Sequence, residues 1–318
     1  MNSFKSMSLK EKMIYLLTLV YLLPFFILIA ANMLFSMFQT TYMDLYLDTE
    51  KPLYKSDHPI LLIALVLFLI AGLTYCFKKK EITTEICSAF EKFSLIWAAL
   101  ISLFIIFLFR VRVACDSAYL SDIAIDFLNG DYSSLTGNGY LVHYPHQLGM
   151  IALLEVIYAV FGIENYTVLQ FLNVIAIVST IYYLHRISDE MFHKPQIQIL
   201  LSLLCIGLLP LYLYTTFIYG DIPSLGLIVP AVYYIVRYLN TQKKIYSIPA
   251  IVLMTLSMEL KSNSSIILVA AIIILILHMI CHKDKFVVLF LLLLIGTPYI
   301  TNTAVNTCYA HAAKLDHI

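Results

Sequence analysis

The chain is divided into apolar runs that are each long enough, or nearly so, to cross a bilayer as a helix, and this limits its fold more than any other feature. A helix needs about 20 apolar residues to span roughly 30 Å of hydrocarbon. Within that layer only helices and closed barrels satisfy every backbone N–H and C=O. Nine stretches qualify, at 14–35, 60–77, 93–109, 168–184, 197–218, 225–236, 245–258, 266–280 and 286–300, the shorter ones beginning inside neighbouring polar turns. The sequence is 61% hydrophobic and 13% charged, whereas soluble domains carry about 25% charged residues. The expected fold is an all-α, polytopic transmembrane helical bundle of about nine spans.

Charge and cysteine usage narrow the function classes. A formal net charge of zero, with no tract rich in Lys and Arg, argues against nucleic acid as a partner. The six cysteines include no CxxC pair, so neither a metal knuckle nor a disulfide framework is indicated. The first apolar run is too long for a signal-peptide core and reads as a retained helix.

Orientation follows from the basic residues. Lys5, Lys10 and Lys12 precede the first run, and Lys78, Lys79 and Lys80 follow the second. Arg186 and Lys194, then Arg237, Lys243 and Lys244, then Lys283 and Lys285 flank later turns. The positive-inside rule puts all of these in the cytoplasm. That count closes only if 148–161 does not cross. Its 14 residues suit an interfacial or re-entrant element. The outer face then collects 38–58, the large loop 110–165, the turn 219–224, the turn at Lys261 and the tail from Thr301. Asp116, His143, His146, Asp221 and Lys261 all land there, so the expected site faces outward from the cell (plasma) membrane.

Charged groups beside a bilayer are costly unless they are paired, reach water or serve a substrate. Arg110 and Arg112 either anchor a helix end at the headgroups or contact phosphate. Asp116 is placed to cap the helix expected over 117–128 or to act as a base. Asp122, Asp126 and Asp131 fit the wet face of that helix and its exit. His143 and His146, at i,i+3, either line an acceptor groove or supply two ligands of a metal without a clear third. Asp221, followed by Ile-Pro, is equally a cap or a functional acid. Lys261 lies on the outer side against the positive-inside bias, and it either pairs with Glu259, snorkels or meets a phosphate. Tyr119, Tyr132, Tyr140, Tyr144 and Tyr219 form an interfacial belt or present faces to a sugar, and Tyr119 joins the candidate set.

The features that carry a family resemblance are Asp116 just after an apolar run, the helix 117–128, Tyr144-Pro-His-Gln-Leu-Gly149, Tyr219-Gly-Asp-Ile-Pro-Ser224 and Glu259-Leu-Lys-Ser-Asn263. In order and spacing, over roughly residues 93–300, they resemble the GT-C superfamily of integral membrane glycosyltransferases, close in pattern to the protein O-mannosyltransferase and aminoarabinose-transferase group. The resemblance implies a large first outer loop with two helices along the membrane surface. It also implies transfer of a hexosyl or pentosyl group from a polyprenyl-phosphate donor to an outer-face acceptor, usually with inversion. The acceptor is a protein, a lipid or an envelope polymer. Asp116 takes the family's base position. Asp221 resembles its second acidic position, which orients the acceptor or holds a cation. Lys261, Arg110 and Arg112 are the candidates to neutralise the leaving phosphate.

Two departures accompany the resemblance. Relatives often carry an acidic pair in the first loop, whereas Asp116 is followed by Ser117 and Ala118. One carboxylate suffices for proton abstraction, while hard cations draw on more oxygen ligands. No metal ligands are assigned, and a divalent cation stays open as cofactor. Relatives also continue beyond the point where this chain stops, so a fragment, a truncated reading frame or a minimal relative is expected. By domains, 1–92 reads as a transmembrane hairpin with a cytoplasmic linker, and 93–318 as the core. The competing classes are a transporter or flippase for a lipid-linked sugar, which would bury charge at mid-span, and a non-catalytic subunit of an envelope-glycan assembly.

Overall fold

A ribbon of two short strands joins the first two helices, in a computed structural model that describes residues 9–42, 53–79, 83–109, 113 and 115–315. Helix α1 (Leu9–Phe38) runs into β1 (Gln39–Tyr42). β1 pairs antiparallel with β2 (Leu53–Ser56), from Gln39 opposite Ser56 to Tyr42 opposite Leu53, and helix α2 (Pro59–Lys79) follows. The threonines and tyrosines of this ribbon favour extended backbone. It is a local exception to the expected all-helical character. These elements form one compact unit, Met1–Glu81, and the rest of the chain forms a second.

Among the described residues, the regular structure of the second unit is all helical. It comprises α3 (Thr84–Leu108), α4 (Asp116–Leu128), α5 (Tyr140–His143), α6 (Leu148–Phe161), α7 (Tyr166–Phe192), α8 (Pro195–Gly207), α9 (Leu209–Leu213), α10 (Asp221–Thr241), α11 (Ser247–Leu260), α12 (Ser265–His282) and α13 (Phe286–Ala312). Helix α3 begins nine residues before the apolar run that announced it. The Thr83 hydroxyl accepts from the Ile86 N–H and Glu85 sits in the first turn, a favourable start for a helix. Residues 84–92, expected in a cytoplasmic linker, are therefore the first turns of α3.

Six helices among the described residues are long and apolar enough to cross a membrane, or up to eight if each of two sharply bent pairs counts as one span. This is fewer than the nine apolar runs. The 14 residues of α11 rise about 21 Å, short of a straight crossing. The chain turns by 101° between 133–143 and Pro145–Phe161, and by 49° between α8 and 209–216.

Helices α7 and α10 form the spine. A Cβ added at Gly226 of α10 would fall 2.5 Å from the Ala176 Cα of α7, so only glycine allows this approach. Three buried clusters surround the spine. One lies between α3, α7 and α8, around Ile105, Ile177, Ile181 and Tyr212. A second joins α10 to α13, around Ala231, Met254, Leu275 and Phe290. The third seals α4 against α6, where Leu120, Ala124 and Phe127 meet Ile151, Leu154 and Ile157. The buried positions of α4 recur every three or four residues, and Asp122 and Asp126 occupy its exposed face, as an amphipathic helix requires. Packing α4 on α6 brings the start of α4 toward the starts of α6 and α10 and the end of α11, and the candidate site forms there.

Candidate functional site

Two carboxylates open two helices without capping them. Asp116 is the first residue of α4 and Asp221 the first of α10. The caps are Cys115 and Gly220, and neither helix has a side-chain cap hydrogen bond. The capping alternative for both residues is thereby corrected, and each carboxylate is left for other partners. Cys115, just before Asp116, has φ 52°, a conformation that side chains with a Cβ rarely adopt.

Lys261 follows the last residue of α11 in extended backbone, and its Nζ lies 3.1 Å from Asp221 Oδ2. Its partner is thus Asp221 and not Glu259. The Lys261 side chain is 18% exposed and that of Asp221 40%, so the pair is screened from water mainly on the lysine side. Three buried serines fix the turn below it. Ser224, Ser257 and Ser264 bond to one another through their hydroxyls at 2.8, 2.8 and 2.7 Å. Two glycines pin the same turn from either side. A Cβ at Gly220 would stand 1.9 Å from the Leu260 carbonyl oxygen, and one at Gly149 would stand 2.2 Å from that of Glu259.

Tyr219 and Tyr140 link the charge pair to Asp116. The Lys261 ammonium lies 4.1 Å from the centre of the Tyr219 ring, within cation–π range. The buried Gln147 amide donates to the Tyr219 hydroxyl. Tyr140 stands near that hydroxyl and near Asp116, whose carboxylate acts on both phenols. Burial first, and then the Asp116 carboxylate, push both phenols above their ordinary range. Both therefore stay neutral donors at physiological pH.

Beside Asp116 the aromatic rings form a row. Tyr119 stacks on Tyr140 with centroids 5.2 Å apart and planes 11° from parallel, and Tyr140 lies 4.8 Å from Tyr144. His143 and His146 each present an edge to Tyr144, at 6.5 and 6.2 Å. The two histidines thus border the tyrosine row. Among the described residues, no group of three or more His, Cys, Asp or Glu side chains is placed to hold a metal ion. Arg110 and Arg112 lie outside the described residues.

The second unit also holds an apolar groove of about 700 Å³. Pro223 and Leu260, close in sequence to Asp221 and Lys261, line it. It continues between α6, α7, α10 and α11 as far as Tyr183 and Tyr234, whose hydroxyls are 3.3 Å apart. Along α10, from Pro223 to Tyr234, the distance is about 16 Å.

The structure thus brings together Asp116, Tyr119, Asp221 and Lys261, with His143 and His146 at the rim. It adds two residues that had no separate role in the sequence, Tyr140 as the partner of Asp116 and Gln147 as the partner of Tyr219. Both belong to the polar segment just before α6. A carboxylate near a neutral phenol, a cation held by a second carboxylate, a row of ring faces and an apolar groove can together accept a proton, offset negative charge and hold an amphiphile.

A family model described as dolichyl-phosphate-mannose-protein mannosyltransferase matches residues 146–301. No curated protein and no solved structure matches the chain. The matched segment includes Gln147, Tyr219, Asp221 and Lys261 and begins after Asp116 and Tyr140.

Proposed function

Through residues 146–301 the chain belongs to the GT-C superfamily of integral membrane glycosyltransferases, which use lipid-linked donors, and on that premise we propose how this site transfers a sugar. The donor is a polyprenyl-phosphate sugar. Its tail lies in the apolar groove and its phosphate meets Lys261. The acceptor hydroxyl stands between Asp116 and the anomeric carbon. As its oxygen attacks that carbon, Asp116 takes the hydroxyl proton. The bond from the anomeric carbon to the phosphate oxygen breaks, and its electron pair stays with the phosphate, which gains a negative charge. Lys261 offsets this charge, and Asp221 holds the lysine in place before the donor arrives. Tyr140 aims the Asp116 carboxylate. The row of Tyr119, Tyr140 and Tyr144 offers its faces to the sugar ring. Attack opposite the leaving group inverts the anomeric centre. The distribution of Lys and Arg supports a site on the outer face of the plasma membrane.

The observation that carries this reading is the gathering of Asp116, Tyr140 and Tyr219 beside the Lys261–Asp221 pair, with Pro223 and Leu260 of the apolar groove close in sequence to that pair. It is tested with membranes containing either the chain or its Asp116→Asn variant, supplied with radiolabelled polyprenyl-phosphate sugars. Transfer by the parent chain that disappears in the variant, with insertion intact, is expected. Unchanged turnover in the variant would overturn the base assignment. Absence of transfer by the parent from every donor would overturn the transferase reading for this chain acting alone.

A further inference from the structure

About 30 Å along α7 from its start beside Ser121 and Tyr158, the second unit holds a charged cleft that the transfer chemistry does not use. Its volume is about 540 Å³, and its walls are the start of α3, the end of α7 and the start of α8. Arg186 crosses it, bonding to Glu91 through one terminal nitrogen and lying 3.5 Å from Asp189 through the other. The second oxygen of Asp189 accepts from Gln198. Both carboxylates of the cleft are therefore engaged. Among the described residues, Lys92 and Lys194, on the same walls, form no salt bridge. The Arg186 Nε is buried and has no partner. Two helix starts, at Thr84 and Pro195, line the same cleft and bring backbone N–H groups without helical partners.

We propose that this cleft binds the phosphate headgroup of an anionic phospholipid. A phosphate diester offers oxygens to both lysines, the Thr84 and Ser88 hydroxyls and the Arg186 edge. The walls argue for a lipid over a free ion. Directly after Lys92, α3 exposes Phe93, Ile96 and Leu100, and beyond Lys194 α8 exposes Leu200 and Leu204. Acyl chains would cover these residues once the headgroup is seated. Basic pockets between membrane helices recognise anionic headgroups in this way.

The test uses the purified full chain in nanodiscs of phosphatidylcholine, with and without phosphatidylglycerol, and with inorganic phosphate in a separate arm. The thermal midpoint and the lipid retained in native mass spectrometry are read. Phosphatidylglycerol is expected to be retained and to raise the midpoint. Retention should weaken on the order of tenfold in the Lys92→Gln/Lys194→Gln double variant and recover in Lys92→Arg/Lys194→Arg. A Lys283→Gln/Lys285→Gln control should behave as the parent. The proposal is overturned if the double variant retains the lipid as the parent does, if the control loses as much, or if the parent does not distinguish the two membranes. A midpoint raised by inorganic phosphate and not by phosphatidylglycerol overturns the lipid assignment.

Discussion

The Lys261 ammonium lies 4.1 Å from the centre of the Tyr219 ring while the same nitrogen sits 3.1 Å from Asp221. The cation is therefore held from two directions before any donor binds. A ring face attracts a cation without neutralising it, and a carboxylate on one side leaves the ammonium able to meet a second anion. An arriving phosphate gains a positioned charge, and the lysine gives up little rotamer freedom to supply it.

Lys261→Ala should lower kcat/KM for the lipid-linked donor on the order of 100-fold, the usual loss when one stabilising contact to a developing anion is removed. Lys261→Arg should keep part of the activity, because the charge persists with a different shape. Asp221→Asn should fall between them. Initial rates against donor concentration provide the measurement, and equal kinetics in Lys261→Ala and the parent would remove the phosphate role.

Tyr140→Phe removes the hydroxyl proposed to donate to Asp116 and aim it. A hydrogen bond to a charged group is worth about 1.5 kcal/mol at the low end, so turnover should fall about tenfold with donor KM little changed. The same change carries a pH signature. The Tyr140 phenol is raised above its ordinary value of 10.0, so the folded chain holds this proton more tightly than the unfolded one. The resulting stability is complete below pH 10 and is lost as pH rises toward the folded value. Thermal midpoints should therefore decline more steeply above pH 10 in the parent than in Tyr140→Phe.

Gly220→Ala and Gly149→Ala each place a methyl group against a backbone carbonyl of the same turn. Neither carbonyl can move without displacing Lys261. Each change should destabilise by about 1–3 kcal/mol, as overpacking does. Transfer should fall further than a distant substitution of equal destabilisation produces. Denaturation midpoints measured alongside transfer rates test this.

The helices could be read from the apolar runs because lipid-facing and core-facing residues are alike in hydrophobicity and differ only from the turns. The start of α3 was missed for the same reason. Its first turns, from Thr84 to Lys92, are polar, and the cap that begins them is a single threonine. The residues of the site could be read as types because Asp116, Asp221 and Lys261 are charges at apolar boundaries. Their pairing could not. Lys261 chooses Asp221, 40 positions away, over the nearby Glu259, because the serine triad and the two glycines fix where the turn points. Tyr140 looked like one more interfacial tyrosine until the bend before α6 brought it to Asp116.

Ser257→Ala should cost about 1 kcal/mol, leaving Ser224 and Ser264 with one another but without their third partner. Replacing all three serines by alanine should cost less than the sum of the single changes, because the hydroxyls satisfy only one another and nearby backbone. Denaturant titrations of the four variants give the comparison.

The site draws on residues from Asp116 to Lys261, so its two halves leave the ribosome at different times. Asp116, Tyr140 and Gln147 are made early, and the lysine follows more than a hundred residues later. At roughly 5–20 residues per second, that interval is on the order of ten seconds. On the proposed reading, the nascent chain then carries the base without the cation that would meet a donor phosphate. If the proposed roles hold, completion of α11 and its turn is the event that assembles the site.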